Sequence, residues 1–251
     1  MDHKFFGVLS DLARAAVQDA MAKGLNPESK VPDGYDPVTD ADRSAEHAMR
    51  AMIEQRFPDH GIWGEEYGMT RGGATMRWSL DPVDGTRALV CGLPSWAVLV
   101  GLLDHDVHIA GMIDLPAIGE RLIAVSGQTL RNGAPTASSN CTSIAEARWS
   151  TTDPFLFDGA EAESVARVRG KAKVARYGLD AMAYARVATG DIDLVIENKL
   201  MPHDIDALVA VVRGAGGHFG DWDGGEDFAR GRVIAASTEA LYDEAVALLA
   251  G

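Results

Sequence analysis

Trp78-Ser79-Leu80-Asp81-Pro82-Val83-Asp84-Gly85-Thr86 is an apolar run that ends abruptly in acids. A short strand fixes Asp81, and Pro82 restricts the backbone that delivers Asp84 three positions later. Carboxylates turned toward one point form the oxygen cluster that hard divalent cations require. Gly85 and Thr86 follow with unhindered backbone N–H groups for a phosphate at a helix start, and with a hydroxyl beside a metal-bound water. The same string also reads as an Asp-Gly turn with capping acids, because turns favour these residues.

Segments on either side favour the first reading. Glu65 and Glu66 follow Gly64 after the strand-like Ile62 and Trp63, so a second pair of acids arrives at a strand terminus. Asp36, Thr39 and Asp42 cluster where a helix begins, and Thr39 with Asp42 has the spacing of a capping box ahead of Ala45, Ala48, Met49, Met52 and Ile53. Asp204 and Asp206 open a helix carrying Ile205, Leu208, Val209 and Val212. An N-cap role explains Asp204 as well as metal ligation does.

Farther out, Phe5, Val8, Leu9, Leu12, Ala16 and Val17 lie at helical spacing from Lys4 to Met21, and Gly24, Asn26 and Pro27 end that helix. From Arg77 to Val125 short apolar runs predict strands over 78–80, 96–103, 107–113 and 121–125, with a hairpin at Asp104-His105-Asp106. Beyond Cys141 the pattern alternates: strand 147–151, helix 161–169, strand near Val174, helix 181–188, strand 192–196, helix 204–214, strand 233–236 and helix 239–249. Helices layered on sheets follow, within one domain over 1–251 whose best candidate seam is Ser138 to Thr142.

The chain has 251 residues, 47% of them hydrophobic, and a formal charge of −14. That length buries a large core, while the charge repels nucleic acid and anionic membranes. It would also repel a phosphate ester unless bound cations reverse the local sign. Two cysteines, Cys91 and Cys141, are too few for a disulfide framework and suit a reducing cytoplasm; Cys91 reads as buried filler. The start of the chain offers no apolar signal core and no stretch of spanning length, so the expectation is a cytoplasmic protein.

Taken together, Asp-Pro-Val-Thr-Asp-Ala-Asp (36–42), Gly-Glu-Glu (64–66), Asp-Pro-Val-Asp-Gly-Thr (81–86) and His-Asp-Ile-Asp-Ala (203–207) ahead of Gly-Ala-Gly-Gly (214–217) resemble the inositol monophosphatase family over nearly the whole chain. The resemblance implies a layered α/β/α/β/α sandwich of the α+β class with mixed sheets, shared with fructose bisphosphatases, assembled as a homodimer. It implies Glu65, Asp81, Asp84 and Asp204 as side-chain ligands to two or three Mg²⁺ ions, with the Val83 carbonyl as a further ligand. Asp42, Thr86 and Glu65 would orient and activate the attacking water. Gly85 and Thr86 would hold phosphate through their amides, and Glu66 would stand behind the ligands. The implied reaction is in-line hydrolysis of a small phosphate monoester without a covalent phosphoenzyme.

Arg176 to Tyr184, Gly190 to Glu197, Thr86-Arg87-Ala88, Gly92-Leu93-Pro94 and Pro202-His203-Asp204 resemble the histidinol-phosphate phosphatase branch more than the inositol branch. Asp180 stands where inositol enzymes carry a small or hydroxylic residue, and with Glu197 it could pair with the ammonium of histidinol phosphate. Alternatively Asp180 caps the following helix. His203 either packs or lines the pocket, packing being the commoner role. Lys30 is the nearest match to the family's lysine, one place off. Inositol-1-phosphate, sugar bisphosphates and nucleotide 3′-phosphates are rival substrates, and a non-catalytic metal-binding regulator is a rival role. Gly214-Ala215-Gly216-Gly217 misses the dinucleotide spacing and reads as a helix stop.

Overall fold

The computed structural model describes residues 2–29 and 37–251, so Lys30 and Asp36 lie outside the described residues. In chain order the elements are α1 (His3–Lys23), β1 (Glu28–Ser29), β2 (Pro37–Val38), α2 (Asp40–Arg56), β3 (Gly61–Gly64), β4 (Gly68–Thr70), β5 (Met76–Asp84), α3 (Thr86–Val90), β6 (Ala97–Asp104), β7 (Val107–Leu115), β8 (Glu120–Val125), β9 (Gln128–Arg131) and β10 (Ala134–Pro135). The second part comprises β11 (Arg148–Thr151), α4 (Gly159–Lys171), β12 (Val174–Tyr177), α5 (Ala181–Ala188), β13 (Leu194–Glu197), α6 (Pro202–Gly214), β14 (His218–Gly220), β15 (Val233–Ala236) and α7 (Glu239–Ala250).

Two mixed sheets organise these elements. The first runs β10-β9-β8-β7-β6-β5-β3-β4 and is antiparallel except for the β3–β5 pair. The second runs β12-β11-β13-β15-β14, with β11 parallel to both neighbours and β15 antiparallel to both of its own. Phe6, Leu9, Ala13 and Val17 of α1 join Ala45, Met49 and Ile53 of α2 on the outer face of the first sheet, around Trp78, Leu80 and Val100. Its inner face, with Leu99, Ile113 and Leu122, packs on α5 and α6, whose far sides meet Val195, Phe219 and Val233 of the second sheet. Helices α4 and α7 cover the remaining face around Trp149, Leu194 and Ile234. Each fully buried large side chain of this kind contributes roughly 1.5–3 kcal/mol. The result is the expected α/β/α/β/α sandwich.

Helix α6 lies unusually close to the first sheet, because β6 and β7 present glycines beneath it. A Cβ at Gly101 would fall 2.9 Å from Asp206 Cβ, and one at Gly111 would collide with the Ala207 carbonyl. The hairpin at 104–107 forms with His105 at φ 54°. The segment 138–142 lies in the crossover between the sheets, where Ser138 N–H donates to Ala215 O at 2.9 Å and Ser139 Oγ donates to Asp193 Oδ1 at 2.5 Å. One expectation is overturned: Cys91 is exposed. The five-residue α3 turns Ala88 and Leu89 inward, which leaves the residue at its end facing solvent. Strands β1, β2, β4, β9, β10 and β14 were not foreseen. Among the described residues no helix is long and apolar enough to cross a membrane.

Candidate active site

Side chains alternate along a strand, so residues three apart point to opposite faces. Asp81 and Asp84 escape that rule through a β-bulge. Asp81 pairs with Leu99 and Asp84 with Ala97, three steps on β5 against two on β6, and the extra residue re-aims the second carboxylate. Asp81 Oδ1 accepts the Val83 N–H at 3.0 Å, tightening the turn around Pro82. Asp204 joins from the first turn of α6, where its Oδ2 accepts the Met201 N–H at 2.7 Å. Asp81, Asp84 and Asp204 each place a carboxylate oxygen within 4.8 Å of the others. Asp204 is thus a capping residue and a member of the cluster at once.

Glu65 is held by its own N–H, which donates to Leu80 O at 3.1 Å on the strand carrying Asp81. Burial holds the Asp81 carboxyl well above the usual range, and the charges of Glu65, Asp84 and Asp204 push it further. Asp84 is raised by burial, then by Asp180 and Asp204. Asp204 is raised by burial, against the opposing pull of His203 and the Met201 N–H. Like carboxylates confined without water disfavour their own ionisation. Hard oxygen donors in this arrangement fit divalent magnesium, whose charge would relieve that repulsion. The donor set therefore suits the expected metal.

A buried relay stands beside the cluster. Thr39 N–H and Oγ1 both donate to Asp42 Oδ2, at 2.8 and 2.6 Å, and Ala41 N–H donates to Thr39 Oγ1 at 3.1 Å. The capping box is thus present, with the helix proper starting at Asp40. The other Asp42 oxygen lies 3.0 Å from Thr86 Oγ1, which also lies 3.0 Å from Val83 O. Burial raises the Asp42 carboxyl despite its bonds to Thr39 and Thr86. Val83 O, the expected backbone ligand, keeps a second lone pair. Gly85 adopts φ 78°, a left-handed turn that suits glycine, and leads into α3, whose first N–H groups have no partner within the helix.

Glu65, Asp81, Val83, Asp84, Gly85, Thr86, Asp180 and Asp204 all line one cavity of about 330 Å³. A deeper chamber of about 130 Å³ shares Asp84, Asp180 and Asp204 and adds Glu197 and Tyr184, with no basic side chain among the described residues on its walls. Asp180 does not cap α5. Its side chain makes no capping bond, and the Ala181 N–H donates instead to Asp84 Oδ2 at 2.7 Å. The Asp180 carboxylate lies over Gly85, 3.1 Å from where a Cβ there would sit. Its backbone, at φ 47° and ψ −141°, occupies a region that L residues rarely adopt, a strain of order 1–3 kcal/mol that concentrates at functional sites. Burial lifts its carboxyl to about 6, with Arg87 pulling the other way.

Glu197 is more heavily engaged than the sequence suggests. Its Oε1 accepts Thr152 N–H at 2.8 Å and Thr152 Oγ1 at 2.5 Å, and its Oε2 accepts the Tyr184 hydroxyl at 2.9 Å. Burial still raises it to about 7. His203 lines the outer cavity, its Nε2 3.6 Å from Asp204 Oδ1.

Sequence reasoning missed the support behind Glu65. Glu46 on α2 is fully buried. Its Oε1 accepts Arg50 Nε at 2.6 Å and Tyr67 N–H at 3.2 Å, and its Oε2 accepts Glu66 N–H at 2.7 Å. Arg50 in turn donates to Gly68 O. A Cβ at Gly64 would collide with Glu46, so glycine is needed there to let the brace reach the loop. The only signal in the sequence is a Glu and an Arg four apart, which usually marks a solvated helix face.

Fold and cluster together define a phosphatase of the layered-sandwich class, its acids gathered between two sheets. The model of the inositol monophosphatase family matches residues 4–250, and the chain belongs to that family. It is 43% identical over 195 residues to the chloroplastic bifunctional phosphatase IMPL2 of Arabidopsis thaliana, a match covering 76% of this chain and 56% of that protein's length. Against the histidinol-phosphatase of Chlorobaculum parvum it is 32% identical, covering 85% of this chain and 83% of the other. The structure of an inositol monophosphatase from Zymomonas mobilis superposes with a TM-score of 0.88 at 33% identity, over 99% of this chain and 97% of that one. The expected enzyme class and fold stand on these findings.

Proposed function

We propose that the chain is a magnesium-dependent phosphomonoester hydrolase whose ester carries a cationic amino alcohol, histidinol phosphate being the substrate. One observation carries the choice of ester: Asp180 leaves the capping of α5 to Asp84 and holds its own carboxylate, on strained backbone, against Gly85 at the cavity wall. The match to a histidinol-phosphatase supports the same reading.

Glu65, Asp81, Asp84, Asp204 and the Val83 carbonyl would hold magnesium. When bound, magnesium supplies Lewis-acid polarisation of the phosphoryl group and acidifies water. Gly85 and Thr86 offer backbone N–H groups to the phosphoryl oxygens. Thr86 Oγ1 orients the attacking water and passes a proton toward Asp42 Oδ1, 3.0 Å away, which burial makes a better proton acceptor. Asp180 receives the ammonium of the leaving alcohol, and Glu197, tied to Thr152 and Tyr184, adds negative potential behind it. A homodimer in the cytoplasm completes the proposal.

Specificity constants for histidinol phosphate, inositol-1-phosphate, fructose bisphosphate and adenosine bisphosphate, measured with Mg²⁺, test it. Histidinol phosphate should rank first, and Asp180→Ala should raise its KM far more than that for inositol-1-phosphate. A panel led by inositol-1-phosphate sinks the choice of ester.

A further inference from the structure

Asn198 follows β13 directly and is 3% exposed, and it lines both chambers of the cavity. Its Nδ2 donates to Glu161 Oε2 at 2.7 Å and to Leu156 O at 3.4 Å. Its Oδ1 has no donor among the described residues. A carboxylate and a carbonyl can only accept from the amide, so the Asn198 side chain cannot be turned over without setting oxygen against oxygen. Glu161, on α4, therefore fixes the amide with its oxygen free. A buried carbonyl oxygen left without a donor is unfavourable, and natural proteins rarely keep one.

The surrounding chamber narrows what can supply the donor. Asp180 and Glu197 are its acidic walls beside the cluster, the hydroxyls of Thr152 and Tyr184 are already donated to Glu197, and among the described residues no basic side chain lines it. An ammonium has three donors and no acceptor, which matches a wall dominated by acceptors. A second phosphate has only acceptors and would be repelled. We infer that Asn198 is a specificity-determining residue, its Oδ1 accepting a hydrogen bond from the ammonium of the leaving alcohol, with Glu161 as the positioning residue that aims it. This rests on the amino-alcohol reading of the site.

Three variants test it: Asn198→Leu, which keeps the approximate volume; Glu161→Gln, which lets the amide turn over; and the double Asn198→Asp, Glu161→Gln, in which a glutamine donor again orients an acceptor toward the cavity. For histidinol phosphate, kcat/KM should fall about 10- to 100-fold in each single variant, the scale of a hydrogen bond to a charged group, and should recover in the double. For inositol-1-phosphate it should change less than about threefold. Calorimetric titration of histidinol, the phosphate-free alcohol, should show the same pattern in Kd. Equal losses on both esters, or no recovery in the double variant, overturn the assignment, and so does a preference that survives both single changes. A wild-type enzyme that prefers inositol-1-phosphate overturns the amino-alcohol reading instead, so the two failures are distinguishable.

Discussion

Glu46→Ala tests whether the brace behind Glu65 matters. The change strands the Arg50 guanidinium, whose side chain is 9% exposed, and removes the acceptor of the Glu66 and Tyr67 N–H groups. Breaking a buried ion pair from one side costs about 3–5 kcal/mol. Arg50 keeps Gly68 O and a long contact to Thr70 Oγ1, which favours the lower end. A loss of about 3 kcal/mol in a chain of this size lowers Tm by about 6–12 °C. Glu65 sits on the released loop, so apparent magnesium affinity should weaken by about 10- to 100-fold, the usual effect of losing a group that orients a ligand. Thermal denaturation and a magnesium titration of activity measure the two effects. A Tm within about 1 °C of wild type together with an unchanged titration would refute the argument.

Asp84→Asn should lower kcat by at least about a thousandfold with an unchanged circular dichroism spectrum, since the amide oxygen can still accept the Ala181 N–H; retained turnover contradicts the ligand assignment. Chelation should abolish phosphate release and added Mg²⁺ should restore it, as read by a phosphate assay. Glu197 is raised by burial to about 7, so its contribution is fully present below the unfolded carboxyl pKa and is lost as pH rises through about 7. Glu197→Gln should therefore gain on wild type by roughly 1–3 kcal/mol between pH 5 and 8, and a constant difference in denaturant midpoints would count against it. Asp193, although burial pushes it up, is held below the usual carboxylate range by Arg148 and Ser139. Its stabilisation is present above the unfolded pKa and disappears in acid, so Asp193→Asn should lower stability near neutrality and make acid unfolding shallower.

Repetitive, local signals made much of this structure legible in advance. Helical spacing marked α1, α2, α5, α6 and α7, and the apolar runs from Arg77 marked β5 to β8, because both patterns are set by which face is buried. The acids of the cluster could be listed because each lies near the start or the end of an element. Their meeting could not be read without the family resemblance, since it depends on a bulge that changes the parity of β5 and on glycines that seat α6. Glu46, Arg50, Glu161 and Asn198 were missed for a related reason: a buried polar residue looks like a surface one until its partners, distant in sequence, are known. Cys91 failed the opposite way, an apolar residue placed outside by a helix too short to bury its end.

The inner face of the first sheet has a consequence for how the chain is made. Leu99, Ile113 and Leu122 are covered by α6, which is complete only at Gly214, whereas the last strand of that sheet ends at Pro135. At synthesis rates of 5–20 residues per second, the growing polypeptide carries an uncovered greasy surface for on the order of 4–16 s. Chaperone demand should peak in that interval, and truncations between the two points should precipitate rather than accumulate as folded fragments.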